Sequence, residues 1–265
     1  MSSLELAGYS ASVLIGVSLG LIGGGGSILT LPVLVYLLGI NPFISTVYSM
    51  FVVGTTALVG SVGYMRQHQV DYKAAAIFAL PSFLAVFLTR KYLVPAIPDP
   101  LIILPTFILS KNVAFMILFA IVMLVASYSM IRQADASPNE LPLSFNGKLL
   151  AFEGILVGIL TGIIGAGGGF LIIPALALLA HLPMKTAVGT SLLIIALNTS
   201  VGFISGISMV PIDWSFLLLF TAFAIGGIFL GMYLAQFVSG ERLKKAFGWF
   251  VLLMGLYIMV REMSL

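Results

Sequence analysis

Two clusters dominated by glycine carry the residues of this sequence most suited to chemistry: Gly23-Gly24-Gly25-Gly26-Ser27 and Gly165-Ala166-Gly167-Gly168-Gly169. Consecutive glycines unwind a helix. Each cluster is followed by a short apolar stretch, residues 28–38 and 170–180. A helix that begins there exposes unpaired N–H groups and a partial positive charge of about 0.5 at its first turn. Two such ends aimed into a cavity of low dielectric hold an anion without a charged side chain, and loosely enough to let it go. The other reading of the clusters is architectural, as hinges. A phosphate loop is excluded because it needs Lys after its last glycine, and a dinucleotide fingerprint because it needs a preceding strand; here Ser27-Ile28 and Gly169-Phe170 follow.

Polar residues inside apolar runs are the second set. Asn198 stands near the centre of the run 186–207, and Thr55, Thr56, Ser49, Thr190, Ser191 and Thr199 lie on that run and its counterpart at 44–65. Hydroxyls and amides can bond the oxygens of an oxyanion; the alternative is that they bond their own helix or join neighbouring helices. The candidate substrate-binding set is therefore Gly24, Gly25, Gly26, Ser27, Ser49, Thr55, Thr56, Gly167, Gly168, Gly169, Thr190, Ser191 and Asn198. Glu153 reads as a residue reaching the interface toward Lys148, with a proton-coupling carboxylate as the alternative. Asp71 and Asp213, each before an aromatic residue at the start of a run, read as N-caps. His68, His181 and Lys185 fall in loops. Two distant histidines and no cysteine make no metal site, no disulfide and no nucleophile with its base, so neither a cofactor nor catalytic residues are expected and an enzyme is not the reading.

The elements that must position these residues are membrane helices. The chain has 265 residues, of which 60% are hydrophobic and 8% charged, with a mean hydropathy of +1.18. Ordinary soluble proteins carry about 25% charged residues, so most of this surface must meet lipid. A net charge of +3 comes from basic residues standing singly or in small groups, as in membrane loops and not in a nucleic-acid interface. Spanning helices need about 20 apolar residues. Such runs are 4–22, 44–65, 74–94, 113–131, 148–164, 186–207, 214–234 and 246–260, with 101–109 as a third short piece beside 28–38 and 170–180. The runs do not alternate as barrel strands do, so all are expected to be helical. The beginning Met1-Ser-Ser-Leu-Glu-Leu lacks a basic leader region, so the first run is expected to stay as a helix.

The two clusters prompt a search for an internal repeat. A shift of 142 places Gly16, Gly20, Gly23, Gly25, Gly26, Pro32, Ser49, Gly60 and Asp71 on Gly158, Gly162, Gly165, Gly167, Gly168, Pro174, Ser191, Gly202 and Asp213. Near the end the shift becomes 129, where Tyr128, Met130 and Arg132 meet Tyr257, Met259 and Arg261. The expected organisation is a first repeat unit at 1–132, with residues 97–109 as an insertion, a polar linker at 133–146 and a second repeat unit at 147–265. Gly154, Gly158 and Gly162, matched by Ser12, Gly16 and Gly20, form ladders of small residues for close helix contact. If each glycine-broken pair is a re-entrant hairpin, three crossings remain per unit and the units are inverted. The end with Arg66, Lys73, Arg132, Lys148, Lys185, Arg242, Lys244 and Lys245 is then cytoplasmic, and the other end collects Arg90, Lys91, Lys111 and Arg261. If each pair makes one crossing, the units run parallel. The inverted arrangement is the expectation.

Two copies of a helix ending in Gly-x-Gly-Gly-Gly/Ser, each with Pro seven positions beyond the second of those glycines, resemble the TauE/SafE sulfite exporter family of membrane permeases. The motifs stand at Gly23 to Pro32 and Gly165 to Pro174, and Ala187-Val188-Gly189-Thr190-Ser191-Leu192 resembles the family's stretch after the second short helix. The first copy departs, keeping only Ser49 of that stretch and carrying Ser27 where the second has Gly169. The resemblance implies a secondary transporter of the bacterial inner membrane for sulfite, sulfonates or related sulfur-containing or carboxylate anions. The expectation is thus an all-α polytopic bundle that moves a small anion by alternating access, with the lipid bilayer, a coupling proton and a second copy of the chain as partners in prospect. An anion channel and a non-transporting scaffold subunit are the rival readings.

Overall fold

A computed structural model describes residues 3–98, 102–104, 107–134, 147–165, 168–180 and 182–263. The chain is a bundle of helices. In order they are α1 (Ser3–Ile22), α2 (Gly25–Pro32), α3 (Pro42–Arg66), α4 (Tyr72–Leu88), α5 (Val94–Ala96), α6 (Lys111–Ala134), α7 (Gly147–Ile164), α8 (Gly169–Leu179), α9 (Met184–Gly206), α10 (Trp214–Ala235) and α11 (Gly240–Met263). A π-helical turn, Val33–Leu37, extends α2; another, Thr89–Leu93, joins α4 to α5. Among the described residues, six helices are long and apolar enough to cross a membrane: Pro42–Arg66, Tyr72–Ala96, Lys111–Tyr128, Gly147–Ile164, Met184–Met209 and Trp214–Ala235. Large apolar side chains such as Leu80, Phe83, Ile204, Leu230 and Leu253 lie on the outside, as lipid-facing residues must. This is a polytopic helical membrane bundle.

Local chemistry sets the helix ends. Asn41 accepts from the Phe43 N–H at 2.9 Å, Asp71 from Ala74 at 2.8 Å and Asp213 from Phe216 at 3.1 Å. Each side chain satisfies one of the amides that a helix leaves open at its start, and Asp71 and Asp213 are the caps expected from their positions.

Helix pairing follows the small residues. Ser12 donates to the Phe220 carbonyl. A Cβ added to Gly16 or Gly20 would run into the carbonyls of Ala224 and Ile228. Thus α1 and α10 run parallel with their backbones in contact. The same is true of α7 and α4: a Cβ at Gly154 would meet the Phe78 carbonyl at 2.6 Å, at Gly158 the Ser82 carbonyl at 2.5 Å and at Gly162 the Val86 carbonyl at 3.3 Å. Adding 142 to 78, 82 and 86 gives 220, 224 and 228, the carbonyls met by the first ladder. Such close approach trades side-chain volume for dispersion and weak Cα–H···O contacts, which drive helix association in lipid.

At the centre α3 crosses α9 antiparallel. Gly54 lies against Thr199, Gly202 against Met50, Gly206 against Val47 and Gly189 against Tyr64. This register brings Thr56 and Asn198 to the middle of the crossing. Helices α6 and α11 pack together, with Gly255 admitting Met123 and Leu124.

Two sequence expectations need correction. The piece 101–109 is not helical where it is described: Ile102–Leu104 (β1) and Phe107–Leu109 (β2) pair antiparallel, Leu104 opposite Phe107. Pro98, Pro100 and Pro105 break helix around and within it, and branched Ile102, Ile103 and Ile108 favour extended backbone. The first short helix begins at Gly25 rather than near Ile28, so Gly25, Gly26 and Ser27 form its first turn.

Candidate functional site

Both glycine breaks have the same local geometry. Gly23 and Gly165 each have φ of +74°, a left-handed conformation that side-chain-bearing residues rarely adopt. The regular ladder ends there, with Gly23 N–H bonding the Leu19 carbonyl at 2.7 Å and Gly165 N–H the Thr161 carbonyl at 2.9 Å. In a continuing helix the Gly20 and Gly162 carbonyls would be the next acceptors. Each instead takes a side chain from another element: the Tyr64 hydroxyl donates to Gly20 at 2.8 Å, and Arg90 Nη1 donates to Gly162 at 3.2 Å.

Past each break the chain folds back. Gly26 packs on Leu19 and the Ile15 carbonyl, and Gly8 on Leu38, so α2 and its π turn run antiparallel to α1. Gly168, with φ of +65°, lies against Thr161 and Val157, turning α8 back along α7. The breaks meet each other. A Cβ on Gly169 would lie 2.9 Å from Gly24 Cα and against Ile195. Ile195 is one helical turn from Asn198, so the meeting point lies beside the α3–α9 crossing.

The expected site residues distribute as follows. Gly24, Gly168 and Gly169 are buried at or beside the contact between the breaks. Gly25 begins α2, and Ser27 Oγ donates to the Gly24 carbonyl at 2.7 Å. Ser49, Thr56 and Asn198 are fully buried on α3 and α9, while Thr55 is half-buried. Asn198 Nδ2 donates to Ser82 Oγ at 2.6 Å. Ser191 donates to the Val188 carbonyl at 2.8 Å, beside Gly23. Thr190 Oγ1 accepts from Asp71 N–H at 2.9 Å and Thr199 bonds its own helix at 2.6 Å. Gly167 and His181 lie outside the described residues.

Among the described residues, five buried side-chain polar atoms have no hydrogen-bond partner: Ser49 Oγ, Thr56 Oγ1, Thr161 Oγ1, Asn198 Oδ1 and Arg90 Nε. Each such orphan costs about 1–3 kcal/mol unless something occupies it. Three belong to the expected set; Thr161 and Arg90 do not. The Ser and Thr hydroxyls and the guanidinium can all donate. The open atom of Asn198 is its Oδ1, an acceptor, while its Nδ2 donates to Ser82. Arg90 was expected with Lys91, Lys111 and Arg261 among the charges collected at one end of the bundle. It is instead fully buried, in the π turn after α4, with Nη2 donating to Thr46 Oγ1 at 2.5 Å and the Phe43 ring centroid 5.7 Å away.

At the other end of α3 a cavity of about 40 Å³ opens between Tyr64, Gln67, Gln69, Lys185, Val188 and Gln236. One of its lining residues, Val188, stands beside the first break, with its Cα 3.0 Å from where a Gly23 side chain would begin. Glu153 is not part of this constellation. It lines an apolar cleft of about 370 Å³ between α6, α7 and α8, beside Val122, Leu156, Leu171 and Pro174.

Broken helices fold back on themselves and meet between packed spans of a polytopic membrane bundle, with unpartnered polar atoms buried on the surrounding helices. The chain belongs to the sulfite exporter TauE/SafE family, whose model matches residues 9–258. A probable membrane transporter protein of Xylella fastidiosa strain 9a5c is 31% identical, covering 94% of this chain and 92% of its own. YunE of Bacillus subtilis, also a probable membrane transporter protein, is 28% identical over 75% of this chain and 76% of its own. No solved structure matches the chain significantly.

Proposed function

We propose that the protein is a secondary transporter of the bacterial inner membrane that carries a small anion, such as sulfite, a sulfonate or a small carboxylate. It works by alternating access at a midplane site where the two glycine breaks meet. The observation that carries this reading is the set of unpartnered donors Ser49, Thr56, Thr161 and Arg90, buried on α3, on α7 and in the π turn after α4. Donors without partners inside a membrane protein stabilise negative charge. Unwound backbone at that depth is tolerated only when it is buried in protein or lines a cavity. No catalytic group takes part.

Inverted repeat units give this site its two faces. Helices α3 and α9 are equivalent under the 142-residue shift and cross antiparallel, and the glycine–carbonyl contacts of α1 with α10 recur between α7 and α4. A two-fold axis in the membrane plane relates elements in that way. The Gln67 and Lys185 end carries the opening toward the first break, and Arg90, Thr46 and Gly206 hold the equivalent positions at the other end closed. Rocking one unit against the other exchanges these states.

The test is uptake by reconstituted proteoliposomes of sulfite, sulfate, thiosulfate, methanesulfonate and acetate, with and without a pH gradient. Saturable uptake of one of them with counterflow is the expected result. Single-channel currents would replace the carrier with a channel, and no flux of any of these anions would leave a scaffold.

A further inference from the structure

We infer that Arg90 is the cationic ligand of the transported anion, at the second glycine break. The inference rests on the anion-transport reading and adds a fixed positive charge to a site otherwise built of amides and hydroxyls.

Arg90 lies inside the apolar helix Tyr72–Ala96 and has no solvent exposure. A buried guanidinium needs a counter-charge. None of the described carboxylates supplies it. Asp71 and Asp213 cap α4 and α10, Glu262 accepts from the Tyr36 hydroxyl at 2.6 Å, and Glu153 faces the cleft between α6, α7 and α8. The hydrogen-bond partners of Arg90 are both neutral, the Thr46 hydroxyl and the Gly162 carbonyl. Its Nε edge is unpaired and lies 3.4 Å from where a side chain on Gly206 would begin.

The surroundings fit an anion. Thr46, held by Arg90, lies against Gly165, the left-handed residue of the second break. Thr161, one residue before the carbonyl that Arg90 holds, has its own hydroxyl unpaired beside Gly168 at the start of α8. The helix carries a π turn at Arg90 itself, a distortion found often at functional positions. The symmetry of the contacts makes the cation one-sided: Arg90 plus 142 is Met232, an apolar residue lining the cavity at the opposite end. An anion entering past Met232 meets its only buried positive partner among the described residues across the breaks.

Met232 also supplies the test. Arg90→Met places at this position the residue its counterpart already has and removes a buried charge whose hydrogen-bond partners are neutral. Melting temperatures in detergent should rise with sulfite and methanesulfonate for the wild type, but not with uncharged dimethyl sulfone. The rise should vanish in Arg90→Met. In proteoliposomes Arg90→Met should lose saturable uptake, and Arg90→Lys, which keeps the charge without the fork, should raise the half-saturation concentration tenfold or more. An unchanged rise in Arg90→Met, or an unchanged half-saturation in Arg90→Lys, would overturn the assignment while leaving transport intact. If Arg90→Met does not accumulate in the membrane, Arg90→Lys alone decides. A wild type that moves and binds none of these anions would overturn the parent reading as well.

Discussion

The side chain that Gly169 lacks would begin 2.9 Å from the Cα of Gly24. Two residues 145 positions apart in sequence (169 − 24) thus bring the interrupted helices of both halves into van der Waals contact. A larger residue at Gly169 would have to displace Gly24 and Ile195. The contact accounts for glycine at position 169, and it brings the two breaks against each other.

Gly165→Ala strains the second break twice, through its φ of +74° and through contact with Thr46. A left-handed alanine costs about 1–2 kcal/mol, before the steric clash. Transport should fall at least tenfold with the protein still in the membrane, as measured by flux normalised to protein on immunoblots. Wild-type flux would mean that the break relaxes without consequence.

Asn198→Leu removes the bond to Ser82 and the open end of the amide. Losing hydrogen bonds to a charged ligand costs about 1.5–3 kcal/mol. The half-saturation concentration should therefore rise roughly 10- to 100-fold, with a smaller change in maximal rate. An unchanged value returns Asn198 to helix packing with Ser82.

Gly158→Leu should act on stability rather than on affinity. Its new side chain would run into the Ser82 carbonyl and Ala85, prising α7 from α4. Overpacking of this kind costs about 1–3 kcal/mol or more. The melting temperature in detergent should drop by several degrees, whereas Gly226→Leu, where nothing lies within 4 Å, should leave it unchanged.

Cysteines introduced at Gln67 and Ser208, both exposed in a chain without native cysteine, report the orientation of the halves. Because α3 and α9 cross antiparallel, these positions should react with an impermeant maleimide from opposite faces of the membrane. Reaction from one face would make the units parallel.

Glu153→Gln tests proton coupling. The carboxyl lies on a spanning helix and lines a cleft shared with α8, the helix that follows the second break. Any stimulation of uptake by an imposed pH gradient should disappear in the variant while counterflow at equal pH persists. Stimulation that survives places coupling elsewhere.

Six of the eight runs were legible as spans because lipid demands long unbroken apolar helices, while the runs 4–22 and 246–260 lie on α1 and α11, which are not among the six described spans; the starts of α4 and α10 were legible because Asp71 and Asp213 precede apolar runs. The ladders Ser12, Gly16, Gly20 and Gly154, Gly158, Gly162 announced close contact, though not which helix each would meet. Other features were hidden for physical reasons. Arg90 stands near the end of an apolar run, where an arginine ordinarily reaches the interface; only the tertiary contacts with Thr46, Gly162 and Phe43 turn it inward. Thr161 looks like any hydroxyl able to bond its own helix, and its orphaned state depends on the turn at Gly168. The glycine run 23–26 reads as wholly unwound, yet the left-handed Gly23 with Gly24 suffices to break the helix and the rest rejoin α2. Residues 102–109 contain too few positions for any periodicity to separate strand from helix.

The claim that the touching breaks form the transport site is tested most directly by counterflow of the preferred anion in proteoliposomes made with the wild type, Gly169→Leu and Gly226→Leu. Saturable exchange is expected in the wild type and in Gly226→Leu, with exchange abolished in a Gly169→Leu protein that is inserted and folded. Normal exchange by Gly169→Leu would contradict it.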